Sequence, residues 1–148
     1  MDFVIDGERL GEVLARELGP DVVPVLVTNW PAGFPADDFG GLVGEADSPL
    51  RDGRFPLYVC AECGDLGCSG VTAVIDRSDD TVVWRDLGYQ DFEPFDDDER
   101  FDDVGPFVFD STEYDSVLQR FRSEWSSEVV DDRGPAGRRR FWLRRSGR

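Results

Sequence analysis

Two runs of β-branched residues, separated by a short polar turn, are the feature that most constrains the fold. Residues 71–77 (VTAVIDR) and 81–89 (TVVWRDLGY) are joined by Ser78, Asp79 and Asp80. Val, Ile and Thr favour extended backbone, and a short polar connection between two such runs is typical of a hairpin. We therefore predict an antiparallel β-hairpin over these residues.

Shorter apolar runs predict the remaining strands. They cover residues 3–5, 22–28, 55–61 and 107–109. Pro24 restricts the second of these runs to an edge or irregular strand, because proline cannot donate a backbone hydrogen bond. A loop-like stretch rich in Pro and Gly precedes residue 55, with one predicted helical turn at 37–42.

Two segments have the periodicity of amphipathic helices. Asp6 can cap the first helix, and Gly19 can end it. The apolar positions of this helix are Leu10, Val13, Leu14 and Leu18. Asp110 and Glu113 are spaced as a capping box for the second helix. Its apolar positions are Tyr114, Val117, Leu118, Phe121 and Trp125. The prediction is an α+β fold: an antiparallel sheet of four or five strands with two amphipathic helices packed on one face.

The composition removes several classes of catalysis. The 148 residues include no His, and all 16 basic residues are Arg. A Ser-His or Cys-His nucleophilic pair, a lysine Schiff base and a phosphate-binding lysine are therefore excluded. Any catalysis would have to use carboxylates, Tyr, Arg or cysteine.

Charge divides the chain into two unequal parts. The net charge is −16, from 32 acidic and 16 basic residues. Residues 1–132 hold all 32 acids and nine Arg, a charge of −23, whereas residues 133–148 hold seven Arg and no acid. We predict a single acidic domain over 1–132 and a basic, flexible tail over 133–148. Such an acidic body repels nucleic acid and attracts basic partners.

The basic tail allows two interpretations. Its Arg residues flank the apolar triplet Phe141-Trp142-Leu143, a composition typical of binding to nucleic acid or a membrane surface. The same segment can instead fold back onto the acidic body and neutralise part of its surface.

Residues 60–68, here called the cysteine loop, contain every cysteine of the chain. These are Cys60, Cys63 and Cys68. A C-x2-C turn followed by Gly64 lets two thiolates point at one metal ion. Three interpretations stay open: a tight Gly-rich turn with free thiols, a zinc site, or a redox pair of Cys60 and Cys63. For zinc, the fourth ligand would be Glu62, Asp65, a distant carboxylate or water.

The cysteine loop also resembles known sequences. It is similar to the first part of a retroviral-type zinc knuckle, with Cys68 where the knuckle has His and Ala73 at the place of the fourth ligand. Over a longer stretch, PLYVCAECGDLGC (56–68) and the hairpin over 71–89 resemble an uncharacterised protein family common in high-GC Gram-positive bacteria. That resemblance implies a shared hairpin fold. Members of the family are occasionally labelled oxidoreductase, which points to Cys60 and Cys63.

Residues 91–103, here called the acidic loop, combine eight acids with three Phe residues. The loop can be a solvated connection, a calcium site at 96–99 without EF-hand spacing, or a binding site. In a binding site, the aromatic side chains would anchor a basic protein partner and the acids would steer it. The predicted partner-binding residues are Asp91, Phe92, Glu93, Phe95, Asp96, Asp97, Asp98, Glu99, Phe101, Asp102 and Asp103.

These observations lead to one main functional prediction: a non-enzymatic acidic binding protein that engages a basic protein partner, as immunity proteins of nuclease toxins do. The alternative is a small zinc- or thiol-dependent, oxidoreductase-like protein centred on Cys60, Cys63 and Cys68. A third option is a structural or regulatory module.

Three features predict a cytoplasmic location. No apolar run reaches the ~18 residues that span a bilayer. The N-terminal residues MDFVIDGERL have neither the basic nor the long apolar region of a signal peptide. The odd number of cysteines argues against a secreted disulfide framework.

Overall fold

The predicted hairpin lies inside a five-stranded antiparallel sheet. The computed structural model describes residues 2–18, 22–26, 36–64, 68–91, 93–128 and 140–147. Within them the strands are β1 (Asp2–Ile5), β2 (Glu8–Arg9), β3 (Val22–Pro24), β4 (Phe55–Cys60), β5 (Gly70–Arg77), β6 (Thr81–Gln90), β7 (Phe107–Asp110) and β8 (Arg140–Leu143). The helices are α1 (Leu10–Leu18), α2 (Ala36–Val43) and α3 (Ser111–Glu128).

The larger sheet has the order β3-β4-β5-β6-β7, and each neighbouring pair is antiparallel. β5 and β6 form the predicted hairpin, with a hydrogen bond of 2.8 Å from the Ser78 N–H to the Thr81 carbonyl at its turn. Pro24 pairs with Tyr58 from the edge strand β3, as its missing N–H requires. The α+β class and the five-stranded antiparallel sheet are therefore confirmed.

The hairpin contains a bulge that bends the sheet. Thr72 pairs with Gly88 and Val74 with Arg85, so Asp86 and Leu87 together oppose Ala73. Asp86 has a φ of +51°. Two residues facing one increase the local twist of the strands. The sheet curls at this point.

α3 begins as its sequence pattern predicts. The Asp110 Oδ1 accepts the N–H of Glu113 at 2.9 Å, which satisfies one of the free donors of the first turn. Tyr114, Leu118 and Phe121 are buried, as the periodicity requires. No helix in the described ranges is both long and apolar enough to cross a membrane.

α1 begins later than its predicted cap at Asp6. Asp6 and Gly7 have φ values of +51° and +91°, and they form the turn between β1 and β2. An N-cap residue has extended backbone, so this left-handed turn cannot start a helix. The helix starts at Leu10, and its positions Leu10 and Leu14 are buried as predicted.

A smaller sheet of order β2-β1-β8 joins residues from opposite ends of the sequence. β8 runs parallel to β1, with Phe141 opposite Phe3 and Leu143 opposite Ile5. The structure thus corrects the predicted tail, because residues 140–147 belong to the folded domain; residues 133–139 lie outside the described residues. The physical reason is the burial of an apolar side chain, because Leu143 is only 2% exposed and joins the core.

The segment after β8 is fixed by polar contacts. Asp6 accepts the Arg145 N–H at 3.0 Å and its Nε at 2.5 Å. The Arg145 backbone N–H, together with its guanidinium, holds the pKa of Asp6 below its usual value. The Ser146 N–H donates to the Val108 carbonyl at 2.8 Å. These contacts connect the smaller sheet to β7.

The core brings both sheets and the helices together around Trp84 of β6. Phe3, Phe109 and Tyr114 meet its ring edge-on, with ring centroids 5.2–6.0 Å away. Its Nε1–H donates to the Tyr114 hydroxyl at 3.2 Å, and that hydroxyl donates to the Leu42 carbonyl at 3.1 Å. Every polar atom in this cluster therefore has a partner.

We expect the substitution Leu143→Ala to destabilise the protein by about 2–4 kcal/mol, because it leaves a cavity where β8 enters the core. Arg144→Ala is the matched control, since Arg144 is exposed and its loss should change the free energy of unfolding by less than about 0.5 kcal/mol. Urea denaturation measures both. Equal, small effects would contradict the placement of β8 in the fold.

Candidate metal centre

Cys60 ends the apolar strand β4. This strand lies between β3 and β5, where Cys60 pairs with Val22, so its backbone is held by the sheet. The side chain is buried, with 7% of its surface exposed. One of the three predicted ligands therefore has a rigid position before any metal binds.

Cys63 lies in a tight turn that follows directly. The Gly64 N–H donates to the Cys60 carbonyl at 2.9 Å, and Gly64 has a φ of +67°. Glycine adopts this left-handed conformation without a steric penalty. The turn brings Cys63, which is exposed, back toward Cys60, as the C-x2-C-Gly spacing predicts.

Cys68 approaches from the opposite direction. Val59 of β4 pairs with Gly70 of β5, so the residues just before Gly70 lie beside the end of β4. The Sγ atoms of all three cysteines lie within 4.8 Å of one another, and none of them is in a disulfide. Tetrahedral zinc with Zn–S bonds of about 2.3 Å requires sulfurs about 3.8 Å apart. Small side-chain movements are enough to reach that geometry.

The cluster favours the thiolate form at Cys60. The backbone N–H of Cys63 and then that of Glu62 donate to the Cys60 sulfur and lower the pKa of this thiol. Hydrogen bonds to Cys60 and Cys63 raise the pKa of Cys68 to about 11. N–H donors aimed at a sulfur stabilise the deprotonated form that a metal requires. The turn therefore supplies Cys60 and Cys63 as ligands and stabilises the thiolate of Cys60.

Carboxylates do not complete this cluster within the described residues. Among the described residues, the group of metal-ligating side chains whose ligand atoms lie within 4.8 Å of one another consists of the three cysteines, with no Asp or Glu. Glu62 is exposed, and Asp65 lies outside the described residues.

The structure places the acidic loop along β6, with its carboxylates outward. Asp97–Glu99 form a 3-10 turn capped by the Asp96 side chain, which accepts the Asp98 N–H at 3.0 Å. The Phe101 N–H donates to the Leu87 carbonyl at 2.8 Å. The exposed acids are Asp91, Glu93, Asp96, Asp97, Asp98, Glu99, Asp102 and Asp103.

Two aromatic residues of the acidic loop pack against the rest of the protein. Phe101 packs against the core. The guanidinium of Arg54 lies over the ring of Phe95, with 3.4 Å between the Arg54 Cζ and the ring centroid. Both half-buried rings therefore fasten the loop to the protein. Phe92 lies outside the described residues.

Sequence reasoning missed the buried arginine beneath this loop. Arg54 is 4% exposed; its Nε donates to Thr72 Oγ1 at 2.8 Å and its Nη2 to the Thr72 carbonyl at 3.0 Å. A further hydrogen bond reaches the Asp86 carbonyl. Burial lowers the pKa of Arg54. An Arg before an apolar strand has no sequence signal that separates a buried side chain from an exposed one.

Asp52 extends this network to the acidic loop. Its Oδ2 accepts the Gln90 Nε2 at 2.8 Å and the Phe95 N–H at 3.1 Å. Burial alone would raise the pKa of Asp52, but these donors and the Arg54 N–H hold it below its usual value. The ionised carboxylate thus ties the loop to the segment before β4.

The cysteine loop and the acidic loop begin at the same end of the larger sheet. Cys60 ends β4, Gly70 begins β5, and Gly70 pairs with Gln90 at the end of β6. The acidic loop follows at Asp91. The two loops therefore leave the sheet at the same end, from β4 and β6 on either side of β5.

Comparison with protein-family models, curated proteins and solved structures finds no match to this chain.

We expect Gly88→Ala to displace the acidic loop. An added Cβ would lie 2.5 Å from Phe95 Cε2 and 2.6 Å from the Glu99 carbonyl oxygen, a clash that should cost about 1–3 kcal/mol. Gly147→Ala is the control, since a Cβ there meets nothing within 4 Å. Thermal denaturation compares the two variants. An unchanged melting temperature for Gly88→Ala would show that the loop does not pack on β6 as described.

Proposed function

We propose that this protein binds one zinc ion through Cys60, Cys63 and Cys68. The observation that carries the proposal is the convergence of three sulfurs within 4.8 Å, two from a turn and one from the far side of a seven-residue connection. The β4–β5 pairing brings Cys68 beside Cys60, and the C-x2-C turn adds the third sulfur, so the three can bind one metal ion together.

The donor set favours zinc over other roles. Thiolates are the ligands of structural zinc sites, and three of them make the ion a poor Lewis acid, so the proposal is a binding site and not a hydrolytic centre. A redox pair of Cys60 and Cys63 would involve only two of the three sulfurs. A thioredoxin-like C-x2-C also opens a helix, whereas this one follows a strand.

Zinc would cross-link the two sides of the β4–β5 connection. Cys60 ends β4 and Cys68 precedes β5, so the ion would close the end of this strand pair. Because the strands are also held by the sheet, loss of the metal should weaken the fold without abolishing it. This distinguishes the protein from small domains that are unfolded without zinc.

Elemental analysis of untagged protein should therefore give about one zinc per chain. Chelation should lower the melting temperature by several degrees, because a ligand bound only to the native state stabilises it. Metal-free protein whose melting temperature does not respond to zinc or a chelator would contradict the proposal.

Cys63→Ser and Cys68→Ser are suitable variants because both side chains are exposed. Each should fold but bind zinc at least about 100-fold more weakly, since a lost ligand costs more than a lost supporting hydrogen bond. Ser69→Ala, next to Cys68, is the matched control and should retain the wild-type affinity. Competition with a chromophoric chelator measures all three.

We propose binding of a basic protein partner as a second function. The supporting observation is the presentation of eight exposed carboxylates on the acidic loop, whose backbone is fixed by hydrogen bonds to Asp52 and Leu87. A fixed array of negative charges steers and orients a positively charged partner. An inhibitor or immunity protein for a basic toxin is one protein class with this requirement.

The variant Asp97→Asn/Asp98→Asn/Glu99→Gln tests this second function while keeping the cap at Asp96. It should retain much less of the basic protein that wild type recovers from native lysate. Asp47→Asn/Asp79→Asn/Asp80→Asn removes the same charge from residues elsewhere on the domain. Equal recovery by both variants would mean that net charge, and not the acidic loop, holds the partner.

A further inference from the structure

The described residues of the proposed zinc site supply three ligands, and the chain has few ways to provide a fourth. The following inference rests on that proposed function. Structural zinc is four-coordinate, and its ligands are four cysteines, three cysteines with one histidine, or two of each. The chain contains three Cys and no His, so one chain cannot complete any of these sets. In the described ranges, no carboxylate converges with the sulfurs either.

The fourth position can be reached from solvent. Cys60 is buried at the end of β4, whereas Cys63 and Cys68 are exposed. An ion held by all three sulfurs would therefore lie at the surface, with the protein behind it on the side of Cys60. A ligand from outside the chain could bind without rearrangement of the sheet.

Charge selects the kind of ligand. Three thiolates and one Zn²⁺ have a formal charge of −1, and the exposed carboxylates of Glu62 and Asp91 belong to the two loops at this end of the sheet. A fourth thiolate or a carboxylate would add another negative charge there, which is unfavourable at short range. A neutral imidazole adds none and completes a set of three cysteines and one histidine.

We propose that the cysteine loop uses its metal to recognise a neutral nitrogen donor from outside the chain, the imidazole of a histidine on a basic protein. Binding exchanges a metal-bound water for the imidazole nitrogen and involves no redox change. The basic character of the partner follows from the acidic loop, which begins beside the strand that Cys68 precedes.

Cobalt-loaded protein tests the proposal, because Co²⁺ takes the same ligands and its visible d–d bands report the coordination shell. Imidazole added at about pH 8, where it is neutral, should shift these bands saturably. The thiolate-to-cobalt charge-transfer band should persist, since the three cysteines stay bound. Glutathione and acetate at the same concentrations should leave the spectrum unchanged.

Each other outcome overturns the proposal. A cobalt spectrum that imidazole does not alter shows that the chain fills the fourth position, and a shift with glutathione but not imidazole shows the opposite ligand preference. Loss of the charge-transfer band shows removal of the metal. If wild type forms no thiolate–cobalt band at all, zinc binding by the three cysteines is also wrong. A band that is present but does not respond to imidazole overturns only the proposed imidazole ligand, so the two failures are distinguishable.

Glu62→Gln and Asp65→Asn remove the carboxylates of the cysteine loop. Both variants should have the wild-type cobalt spectrum and the same response to imidazole. A changed spectrum in either variant before imidazole is added would identify that carboxylate as the fourth ligand and overturn the proposal.

Short peptides separate a protein partner from a free imidazole compound. Ac-Arg-His-Arg-NH2 should bind about 3- to 10-fold more tightly than Ac-Gly-His-Gly-NH2 at low salt, and the difference should disappear at high salt. Equal affinities at low salt would overturn the basic-partner part of the proposal.

Discussion

The antiparallel pairing of β4 with β5 is the constraint on which the candidate site depends. It holds Cys60 at the end of one strand and brings Cys68 to the start of the next, while Gly64 turns Cys63 back between them. A sheet register is specified by every pair along the two strands, so it positions sulfurs more rigidly than a free loop could. Metal binding therefore has to order little of the chain, because the pairing of the two strands already places Cys60 and Cys68.

Local patterns in the sequence predicted much of this structure. The β5–β6 hairpin, the apolar run of β4 and the cap of α3 at Asp110 each depend on neighbouring residues, and the structure confirms them. The cysteine spacing allowed a three-cysteine metal site as one of three interpretations, because a C-x2-C turn is a local motif, whereas Cys68 joins it through the β4–β5 pairing. What local patterns could not predict was whether a fourth ligand is available.

The misses all involve contacts between residues far apart in the chain. β8 pairs with β1 across the whole sequence, and seven Arg residues in its neighbourhood suggested a solvated segment. Asp6 is of a residue type that often caps helices, but its backbone is left-handed. Arg54 is charged and yet buried, since Thr72 and Asp86 supply acceptors from other strands. Residue type alone does not predict such long-range partners.

Zinc X-ray absorption spectroscopy of the natively purified protein tests the central claim most directly, since it counts the atoms bound to the metal. The account predicts about three sulfurs at about 2.3 Å and one nitrogen or oxygen at about 2.0 Å. A shell of oxygen and nitrogen alone would show that the three cysteines are not the ligands, and it would contradict the claim.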